Sequence, residues 1–333
     1  MRLPNFEYCE PATLEEVLSI LKENQGDTRV LAGGTDLIPL MKYGLDVPST
    51  IVSLKNVTAL KGIIPRGKEV FIGAMTSLAD LWSSAIIRDN FPALHQAVEA
   101  VAAPPLWNVA TLGGNICQNS RCLYYNQSKT WRLEKPSCLK AGGSVCHAVP
   151  KGKKCFSVYS GDLAPALIAL RSTLSVQKKN QSRITPLQDV FSGNGLAPFT
   201  LAKEELITGV ILPLPGKRDG SCYVKIRVRS AVDYPLLSAA ASVTLGGGRR
   251  IEKAELILGA VGPTPIVVET DQLFAGSAID LVNHDALREI LGQGTQMVDN
   301  LALPGSYRRR MLPVVAQKAI QGALKSIAKR ENR

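Results

Sequence analysis

The chain has 333 residues, and at roughly 100 to 200 residues per domain this length predicts about two domains. Hydrophobic residues make up 45% and charged residues 20%, which excludes a disordered or low-complexity chain. The net charge of +11 admits nucleic acid, an anionic cofactor or an acidic protein as partner, but no basic segment has the interleaved stacking residues of a single-stranded nucleic-acid groove, so nucleic acid is not expected.

The sequence contains no pattern typical of membrane insertion or secretion. Its longest uncharged stretches are broken by Gly or Pro and fall short of the roughly 20 residues that a membrane span needs. The first ten residues lack the apolar core of a secretory signal. We therefore expect a cytoplasmic protein that does not enter a membrane.

The N-terminal part of the chain alternates between helical and extended patterns. Thr13 and Glu16 have the spacing of a capping box, which predicts a helix directly after Thr13. The apolar run 29–32 predicts a strand, followed by a sharp glycine turn and a helix over 35–42 with Thr35 as its N-cap. Similar patterns predict strands over 50–54, 70–73 and 173–177, and helices over 77–84, 91–102 and 163–170.

A polar linker is predicted over 178–183, and we place a domain boundary there. Beyond it, apolar runs bounded by Gly and Pro predict an antiparallel sheet with strands at 206–212, 222–230, 238–245 and 254–261. Helical patterns follow from Glu269. Apolar residues near helical spacing over 307–333 predict an amphipathic terminal helix, and the alternative for this region is a solvated basic end.

Two glycine turns, at Gly33-Gly34 and Gly113-Gly114, are the first candidates for a binding site. Backbone N–H groups at such turns can converge on an anion such as a pyrophosphate. Neither turn has the spacing of a dinucleotide fingerprint or the Lys of a P-loop, and a tight turn without a ligand is the simpler interpretation of either one alone. Taken together, the two loops could clamp one diphosphate between two subdomains.

Most of the net charge and four of the seven cysteines share one segment. Between Arg121 and Cys155 there are eight basic residues against Glu134 alone, a net charge of +7. The spacing of the four cysteines lacks the paired C-x2-C of zinc ribbons and common ferredoxins. The pattern therefore leaves two interpretations open, a metal or iron–sulfur site and reduced cysteines with no ligand role. Basic surroundings would offset the negative charge of a [4Fe-4S] cluster.

The sequence resembles the FAD-binding medium subunits of the molybdenum hydroxylase family, which includes the xanthine and carbon monoxide dehydrogenases. The likeness covers nearly the whole chain. Its motifs, in chain order, are Phe6-x-Tyr8-x-x-Pro11-x-Thr13-Leu14, Ala32-Gly33-Gly34-Thr35-Asp36-Leu37, Ile72-Gly73-Ala74-Met75-Thr76, Thr111-Leu112-Gly113-Gly114-Asn115-Ile116, Gly161-Asp162-Leu163-Ala164-Pro165-Ala166-Leu167, Glu204-Glu205-Leu206-Ile207 and Tyr307-Arg308-Arg309.

The resemblance implies a fold of the α+β class with two domains. Residues 1–178 would form an FAD-binding domain of the PCMH, or vanillyl-alcohol-oxidase-like, type, with subdomains at about 1–56 and 57–178. The second subdomain would carry a cysteine-bearing insert at about 119–157. Residues 179–333 would form an α+β domain with an antiparallel sheet, similar to the C-terminal domain of the carbon monoxide dehydrogenase flavoproteins.

By the same resemblance, FAD would be the cofactor, and no catalytic residue is expected on this chain. The residues implied to hold its diphosphate and ribityl chain are Val30, Leu31, Ala32, Gly33, Gly34, Thr35, Asp36, Leu37, Thr111, Gly113, Gly114 and Asn115, with Val101, Ala102 and Gln118 lining the cleft. Asp162 and Ile207 would lie beside the flavin. Lys225 would lie near the flavin ring, where a cation stabilises the anionic reduced form; without the resemblance it would be interpreted as a solvated strand lysine.

The insert resembles that of the medium subunit of the 4-hydroxybenzoyl-CoA reductases, in which four cysteines bind an additional [4Fe-4S] cluster. The likeness rests on Arg121-Cys122, Trp131-Arg132 and Cys146-His147 with their neighbours. It implies the following cluster ligands: Cys122, Cys138, Cys146 and Cys155. A related loop occurs in a periplasmic aldehyde oxidoreductase, so the insert does not fix the substrate.

The expected function is electron transfer by FAD and a [4Fe-4S] cluster within a dimer of heterotrimers. The partners would be a large subunit with a molybdenum cofactor and a small subunit with [2Fe-2S] clusters. Electrons from a ferredoxin would enter at the insert and serve to remove a phenolic hydroxyl from an aromatic CoA thioester. One alternative is an aldehyde or N-heterocycle dehydrogenase of the same family, and a second is a non-catalytic, zinc-stabilised binding protein.

Overall fold

The computed structural model describes residues 2–23, 27–270 and 302–331, with 287, 289–291, 295 and 297–299 between the last two ranges. These residues form three sheets of three, five and four strands, and three hydrophobic clusters pack against them. None of the helices in the described part of the chain is both long and apolar enough to cross a membrane.

The first sheet is parallel and lies at the N-terminal end of the chain. Its elements are β1 (Glu7–Cys9), α1 (Leu14–Glu23), β2 (Thr28–Leu31), α2 (Leu37–Lys42) and β3 (Thr50–Ser53), with strand order β1-β3-β2. The predicted capping box is confirmed, because Glu16 Oε2 accepts the N–H of Thr13 at 3.4 Å and Thr13 Oγ1 accepts the N–H of Glu16 at 3.2 Å. It fixes the start of α1, whose apolar face packs on β3.

The predicted start of α2 at Thr35 is wrong. The helix begins at Leu37, and Asp36 precedes it without a side-chain capping bond. The Asp36 carboxylate instead accepts the N–H of Asn119 at 3.3 Å and pairs with Arg121 at 3.4 Å. A tertiary contact from more than eighty residues away therefore replaces the local cap.

The second sheet is antiparallel, with strand order β4-β5-β8-β6-β7. Its strands are β4 (Ile63–Arg66), β5 (Glu69–Gly73), β6 (Thr173–Lys178), β7 (Gln181–Pro186) and β8 (Leu206–Pro213). The predicted linker over 178–183 is wrong, because β6 and β7 form a hairpin there. The sheet crosses residue 178, the position of the predicted domain boundary, and β8 lies between two strands that precede that boundary.

Short helices surround the second sheet. They are α3 (Leu78–Ser83), α4 (Ala85–Asn90), α5 (Pro92–Ala100), α6 (Pro104–Trp107), α7 (Leu112–Ile116), α8 (Lys129–Leu133) and α9 (Leu163–Ala169). All residues of α9 are buried, and it packs directly against the third sheet and against α5 and α7. The apolar run predicted as a helix over 163–170 thus forms a central element of the core.

The cysteine insert leaves and re-enters the fold at a single bridge. The N–H of Arg121 donates to the carbonyl of Val158, and the N–H of Val158 donates to the carbonyl of Arg121, both at 2.7 Å. Between them the chain is mostly loop, with α8 as a short helix capped by Ser128, whose Oγ accepts the N–H of Trp131 at 3.3 Å. We call residues 119–157 the insert, and the Arg121–Val158 pair its neck.

The third sheet is antiparallel, as the sequence predicts, with order β12-β11-β10-β9, but the strand predicted over 206–212 belongs to the second sheet as β8. Its strands are β9 (Asp219–Ile226), β10 (Leu237–Leu245), β11 (Ile251–Gly259) and β12 (Ile266–Val268). The predicted terminal helix is confirmed as α10 (Gly305–Glu331), which buries Val315, Ala319 and Ala323 along one face against this sheet. The helical patterns predicted from Glu269 lie largely outside the described residues.

Candidate cofactor site

The first glycine loop follows β2 and lies against the segment before α7. Gly34 has a positive φ of 71°, a conformation that a side chain disfavours. A methyl group at Gly33 would collide with the carbonyl oxygen of Val109. Gly34 is therefore required for the turn, and Gly33 for the close approach of the two backbone segments.

The second glycine pair does not form the predicted turn but belongs to the first turn of α7. Thr111 caps this helix, because its Oγ1 accepts the N–H of Gly114 at 3.2 Å. The N–H of Gly113 donates to the carbonyl of Ala74 at 2.8 Å, which holds α7 against the end of β5. A side chain at Gly114 would press on the Thr111 hydroxyl.

Two cavities meet at these loops. The larger, of about 370 Å³, is lined by Val30, Ala32, Gly33, Gly34, Thr35, Asp36, Leu37, Thr111, Gly114, Cys117, Asn119 and Phe199, among others. The smaller, of about 250 Å³, is lined by Thr35, Asp36, Val101, Ala102, Leu106, Ala110, Gly114, Asn115, Gln118, Ser160, Asp162, Val232, Asp233 and Tyr234. Thr35, Asp36 and Gly114 border both cavities, so an elongated ligand could pass from one to the other beside the two glycine loops.

Most residues that the family resemblance selects line one of the two cavities. Four of them are outside both linings as the structure describes them: Leu31, Gly113, Ile207 and Lys225. Gly113 packs on Ala74, and Ile207 is buried in the core of the second sheet. Lys225 is separated from the cavity by the carboxylate of Asp162, which it contacts.

The smaller cavity has an unsatisfied polar group in its wall. Gln118 Oε1 is buried and has no hydrogen-bond partner within the described part of the chain. A buried amide oxygen without a partner is costly, so such groups usually meet a ligand or water. The wall also contains apolar side chains, including Val101 and Leu106. A mixed lining with a free acceptor fits a heteroaromatic ring with N–H donors, and the site residues are thus compatible with FAD.

Asp162 is the centre of a buried hydrogen-bond network beside this cavity. Its Oδ1 accepts the hydroxyl of Tyr223 at 2.6 Å, and its Oδ2 accepts the ammonium of Lys225 at 2.9 Å. Lys225 also donates to the carbonyls of Ala100 and Asp233, both at 2.9 Å. Burial raises the pKa of Asp162, and the charge of Lys225 and the bond from Tyr223 oppose that rise.

Sequence reasoning missed the residues that close the smaller cavity on its far side. Val232, Asp233 and Tyr234 belong to the connection between β9 and β10, more than 110 residues after α7. They carry no local motif, so only the tertiary fold brings them to the glycine loops. Cys117 and Asn119, at the end of α7, were also missed, although their position directly after the second glycine motif could have indicated them.

The four cysteines of the insert are free thiols, of which Cys155 is buried and the others are half-buried. Burial raises the pKa of Cys122, and the nearby Cys155 and Cys138 raise it further. The backbone of Cys138 forms a β-bridge with that of Val145, the residue before Cys146. Among the described residues, however, no three Cys, His, Asp or Glu side chains come close enough to hold a metal ion. The insert gathers the thiols in one region without closing them into a ligand set.

Lys140 lies inside the insert and ties it to the rest of the fold. Its ammonium donates to Asn119 Oδ1 at 2.9 Å, to Ser120 Oγ at 2.6 Å, to Ser157 Oγ at 3.2 Å and to the carbonyls of Ser120 and Gly195. Burial lowers the pKa of Lys140 to about 8, although the nearby thiols favour its charge. These contacts place the ammonium of Lys140 between the two ends of the insert.

Two protein families together match most of the chain. Residues 4–215 match the FAD-binding domain in molybdopterin dehydrogenase, and residues 222–323 match the C-terminal domain of the carbon monoxide dehydrogenase flavoprotein. The first family alone covers more than half of the chain. Its limits include all strands of the first two sheets.

Individual relatives show the same similarity. The medium chain of carbon monoxide dehydrogenase from Afipia carboxidovorans is 26% identical over 96% of both chains. The FAD-binding subunit of an aldehyde oxidoreductase from Escherichia coli (strain K12) is 30% identical over 72% of this chain and 77% of its own. The reconstituted carbon monoxide dehydrogenase from Oligotropha carboxidovorans has a chain of the same fold, with a TM-score of 0.80 at 24% identity, covering 98% of this chain and all of that one.

Proposed function

Because the chain belongs to the family of FAD-binding domains in molybdopterin dehydrogenases and is the FAD-binding subunit of a heteromeric molybdenum hydroxylase, we propose that it transfers electrons between an external carrier and the partner subunits. Such complexes have a large molybdenum subunit and a small iron–sulfur subunit, so substrate chemistry takes place outside this chain. The observation that carries the proposal is the pair of cavities that share Thr35, Asp36 and Gly114.

The two cavities give each part of FAD a defined environment. We assign the diphosphate to the backbone around Gly33, Gly34 and Gly114, and the ring system to the smaller cavity beside Gln118 and Asp162. Bound FAD would supply exchange between one-electron and two-electron carriers. The chain's own residues hold the cofactor, exclude water from one side of it and place the Asp162 network beside it.

We further propose that the insert holds a [4Fe-4S] cluster through Cys122, Cys138, Cys146 and Cys155. Support comes from the position of all four thiols in one segment and from the half-buried Lys140, whose positive charge Cys155, Cys122 and Cys138 favour. Four thiolates around a cluster carry net negative charge, which nearby cations offset. Because the thiols are not assembled into a ligand group in this structure, binding would require them to close around the metal.

For the external carrier we propose an acidic one-electron protein of the ferredoxin type, because the insert presents a basic surface. A cavity of about 230 Å³ beside Cys138 is lined by Lys129, Arg132 and Lys135 together with Trp131. The exposed Lys151, Lys153 and Lys154 add to the same basic segment. Complementary charge raises association rates by steering, so this face favours an acidic partner.

For the reaction of the complex we propose the reductive route of the 4-hydroxybenzoyl-CoA reductases. There the aromatic CoA thioester would lose its phenolic hydroxyl, taking up two electrons and two protons and releasing water. The resemblance of the insert supports this route. The 30% identity to an aldehyde oxidoreductase subunit supports the alternative, an aldehyde or N-heterocycle dehydrogenase that passes electrons outward. The zinc-stabilised binding protein is disfavoured by the family to which the chain belongs.

The test is a comparison of substrates on the complex purified anaerobically with all its subunits. Flavin and iron are quantified first. Visible spectra then follow whether each substrate oxidises the reduced complex or reduces the oxidised complex. The reductive proposal expects 4-hydroxybenzoyl-CoA to reoxidise the reduced complex, and expects aldehydes and N-heterocycles to leave the oxidised complex unchanged.

The opposite pattern would assign the chain to the dehydrogenase alternative. A colourless complex that contains zinc but neither flavin nor iron would contradict both routes. The iron count of the small subunit, measured separately, serves as the control for iron assigned to the insert.

A further inference from the structure

The smaller cavity is closed by a loop that contacts the insert. We call residues 227–236, between β9 and β10, the cleft loop; its Val232, Asp233 and Tyr234 line the cavity. The N–H of Val232 donates to the carbonyl of Ala102 across the cavity at 2.8 Å. Both residues have positive φ, of 50° and 39°, which side chains disfavour. Such conformations persist only where surrounding contacts impose them.

Arg121, at the neck of the insert, contacts both sides of the cavity. Its guanidinium lies over the ring of Tyr234 with 4.3 Å between the guanidinium carbon and the ring centroid, the geometry of a cation–π contact. Its Nη1 pairs with Asp36 Oδ1 at 3.4 Å, and Asp36 borders both cavities. Arg121 thus joins the cleft loop to the first glycine loop.

The backbone of Arg121 is fixed independently of these contacts. The two 2.7 Å hydrogen bonds to Val158 hold it at the neck, and Lys140 binds the preceding carbonyl of Ser120 at 2.9 Å. The guanidinium is therefore presented to the cavity from a rigid position in the insert. Any loosening of the neck withdraws the one side chain that contacts Tyr234 and Asp36 together among the described ion pairs and cation–π contacts.

We propose that Arg121 is a positioning residue that keeps the cleft loop closed over the flavin, so that the insert controls how fast the cofactor leaves. The proposal rests on the assignment of the smaller cavity to FAD. It gives the insert a second role besides that of its cysteines. Because Arg121 acts through Tyr234 and Asp36, its effect falls on retention of the cofactor rather than on the chemistry of the partner subunits.

The first experiment measures flavin release from the whole complex after dilution, followed by the rise of flavin fluorescence. Arg121→Ala is expected to release FAD about tenfold faster than the unmodified complex, since it removes the cation–π contact and the ion pair together. Arg121→Lys, which keeps the charge but not the planar fork, is expected to lie between the two. Arg66→Ala is the matched control, because Arg66 in β4 makes a similar cation–π contact, 4.2 Å from the ring centroid of Phe71, and lines neither cavity.

The second experiment uses Tyr234 and separates positioning from general destabilisation. Tyr234→Phe keeps the aromatic face and is expected to retain FAD normally, whereas Tyr234→Ala is expected to release FAD faster, though not faster than Arg121→Ala, because the ion pair of Arg121 with Asp36 remains. The double variant is expected to release FAD no faster than Arg121→Ala, because that single variant already removes the contact with Tyr234. The visible circular dichroism of bound flavin is recorded for each variant as a measure of ring placement.

Release within twofold of the unmodified rate for Arg121→Ala would overturn the proposal, and so would additive effects of the two alanine variants. If Arg121→Ala does not assemble, the comparison of Tyr234→Phe with Tyr234→Ala decides, since equal rates for these two contradict the role of the aromatic contact. A complex that binds no flavin in any form would refute the proposed function instead, which distinguishes the two failures.

Discussion

The ammonium of Lys225 lies 2.9 Å from Asp162 Oδ2, in a pair whose side chains are only 3% and 6% exposed. Two backbone carbonyls accept the remaining hydrogens of that ammonium. Lys225, which is expected near the flavin ring, holds the carboxylate of Asp162, and Asp162 in turn lines the cavity. The positive charge of Lys225 still lies close to the cavity, but the carboxylate of Asp162 is the group that lines it.

The Asp162–Lys225 pair predicts that replacing Lys225 alone lowers the free energy of unfolding more than replacing both residues. Lys225→Met leaves a buried carboxylate without its cation, which typically costs about 3 to 5 kcal/mol of the free energy of unfolding. Adding Asp162→Asn removes the unpaired charge and should recover at least half of that loss. Denaturant unfolding of the purified chain measures both. A double variant no more stable than Lys225→Met would contradict this account.

The glycine loops predict a steric requirement for flavin binding. Gly33→Ala should abolish most flavin retention, because the methyl group meets the Val109 carbonyl and must push the two loops apart. Gly114→Val should weaken binding through the Thr111 cap. Gly247→Ala is the control, since nothing lies near the added methyl there. Flavin content per chain after gel filtration is the measurement, and full occupancy in Gly33→Ala would refute the placement.

The cysteine assignment predicts which thiols carry iron. Replacing Cys122, Cys138, Cys146 or Cys155 by Ala should lose cluster iron and leave FAD bound, because only these four share the insert. Cys9→Ala is expected to change neither, since Cys9 lies in β1 on the first sheet. Iron is determined on the complex with the contribution of the small subunit subtracted. Four iron atoms that persist after all four replacements would exclude the insert as the cluster site.

Electron delivery by an acidic protein predicts a salt dependence. Changing Lys151, Lys153 and Lys154 together to Gln should slow oxidation of reduced ferredoxin about fivefold at low ionic strength, and the difference should shrink as salt screens the charges. The same exchange at the exposed Lys318, Lys325 and Lys329 of α10 serves as the control. Turnover with NADH as fast as with ferredoxin, or rates independent of salt, would count against the proposal.

The pair Arg183–Glu205 predicts a pH-dependent contribution to stability. Arg183 donates to both carboxylate oxygens of Glu205, at 2.7 and 3.2 Å, and these bonds lower the pKa of Glu205 below its usual range. A lowered pKa stabilises the folded chain above the pKa of the unfolded state, and this stabilisation is lost as the pH falls through the folded value. Since Arg183 is 43% exposed, the effect is discounted for solvent screening to about 0.5 kcal/mol.

Glu205→Gln should therefore lower the melting temperature at pH 7 and leave it nearly unchanged near pH 3. Glu204→Gln provides the comparison, because Glu204 meets Lys178 through a single contact at 3.2 Å. An equal loss at both pH values would show that packing, rather than the charge of Glu205, carries the effect.

Elements specified by neighbouring residues could be predicted from the sequence. The capping box of α1 and the apolar face of α10 depend on residues within one or two turns, and both are present. The hairpin β6–β7 was missed because β7 is an exposed edge strand, so its polar residues look the same as those of a linker. The start of α2 was mispredicted because Asp36 accepts from Asn119 and pairs with Arg121 instead of following a local capping pattern.

The site residues also divide into those that a local pattern indicates and those that only tertiary contacts bring to the site. Both glycine loops are marked by their own residues, because a close backbone approach admits only glycine there. The cleft loop is not marked, since Tyr234 meets Arg121 only after the third sheet packs beside the second. Whether the cysteines bind a cluster also depends on distances that spacing along the chain does not determine.

The bridge between Arg121 and Val158 means that residues 122–157 form an excursion whose two ends coincide. A segment of this kind can lengthen or shorten in evolution without moving the strands on either side, and each doubling of its length costs only about 0.6 kcal/mol of closure entropy. Lys140 reaches back from it to Ser120 and Gly195, while Tyr125 and Arg132 contact Leu45 and Gly44. A flavoprotein of this architecture can therefore acquire a whole new module at one point of its chain, provided that a few side chains of the module anchor it to the existing fold.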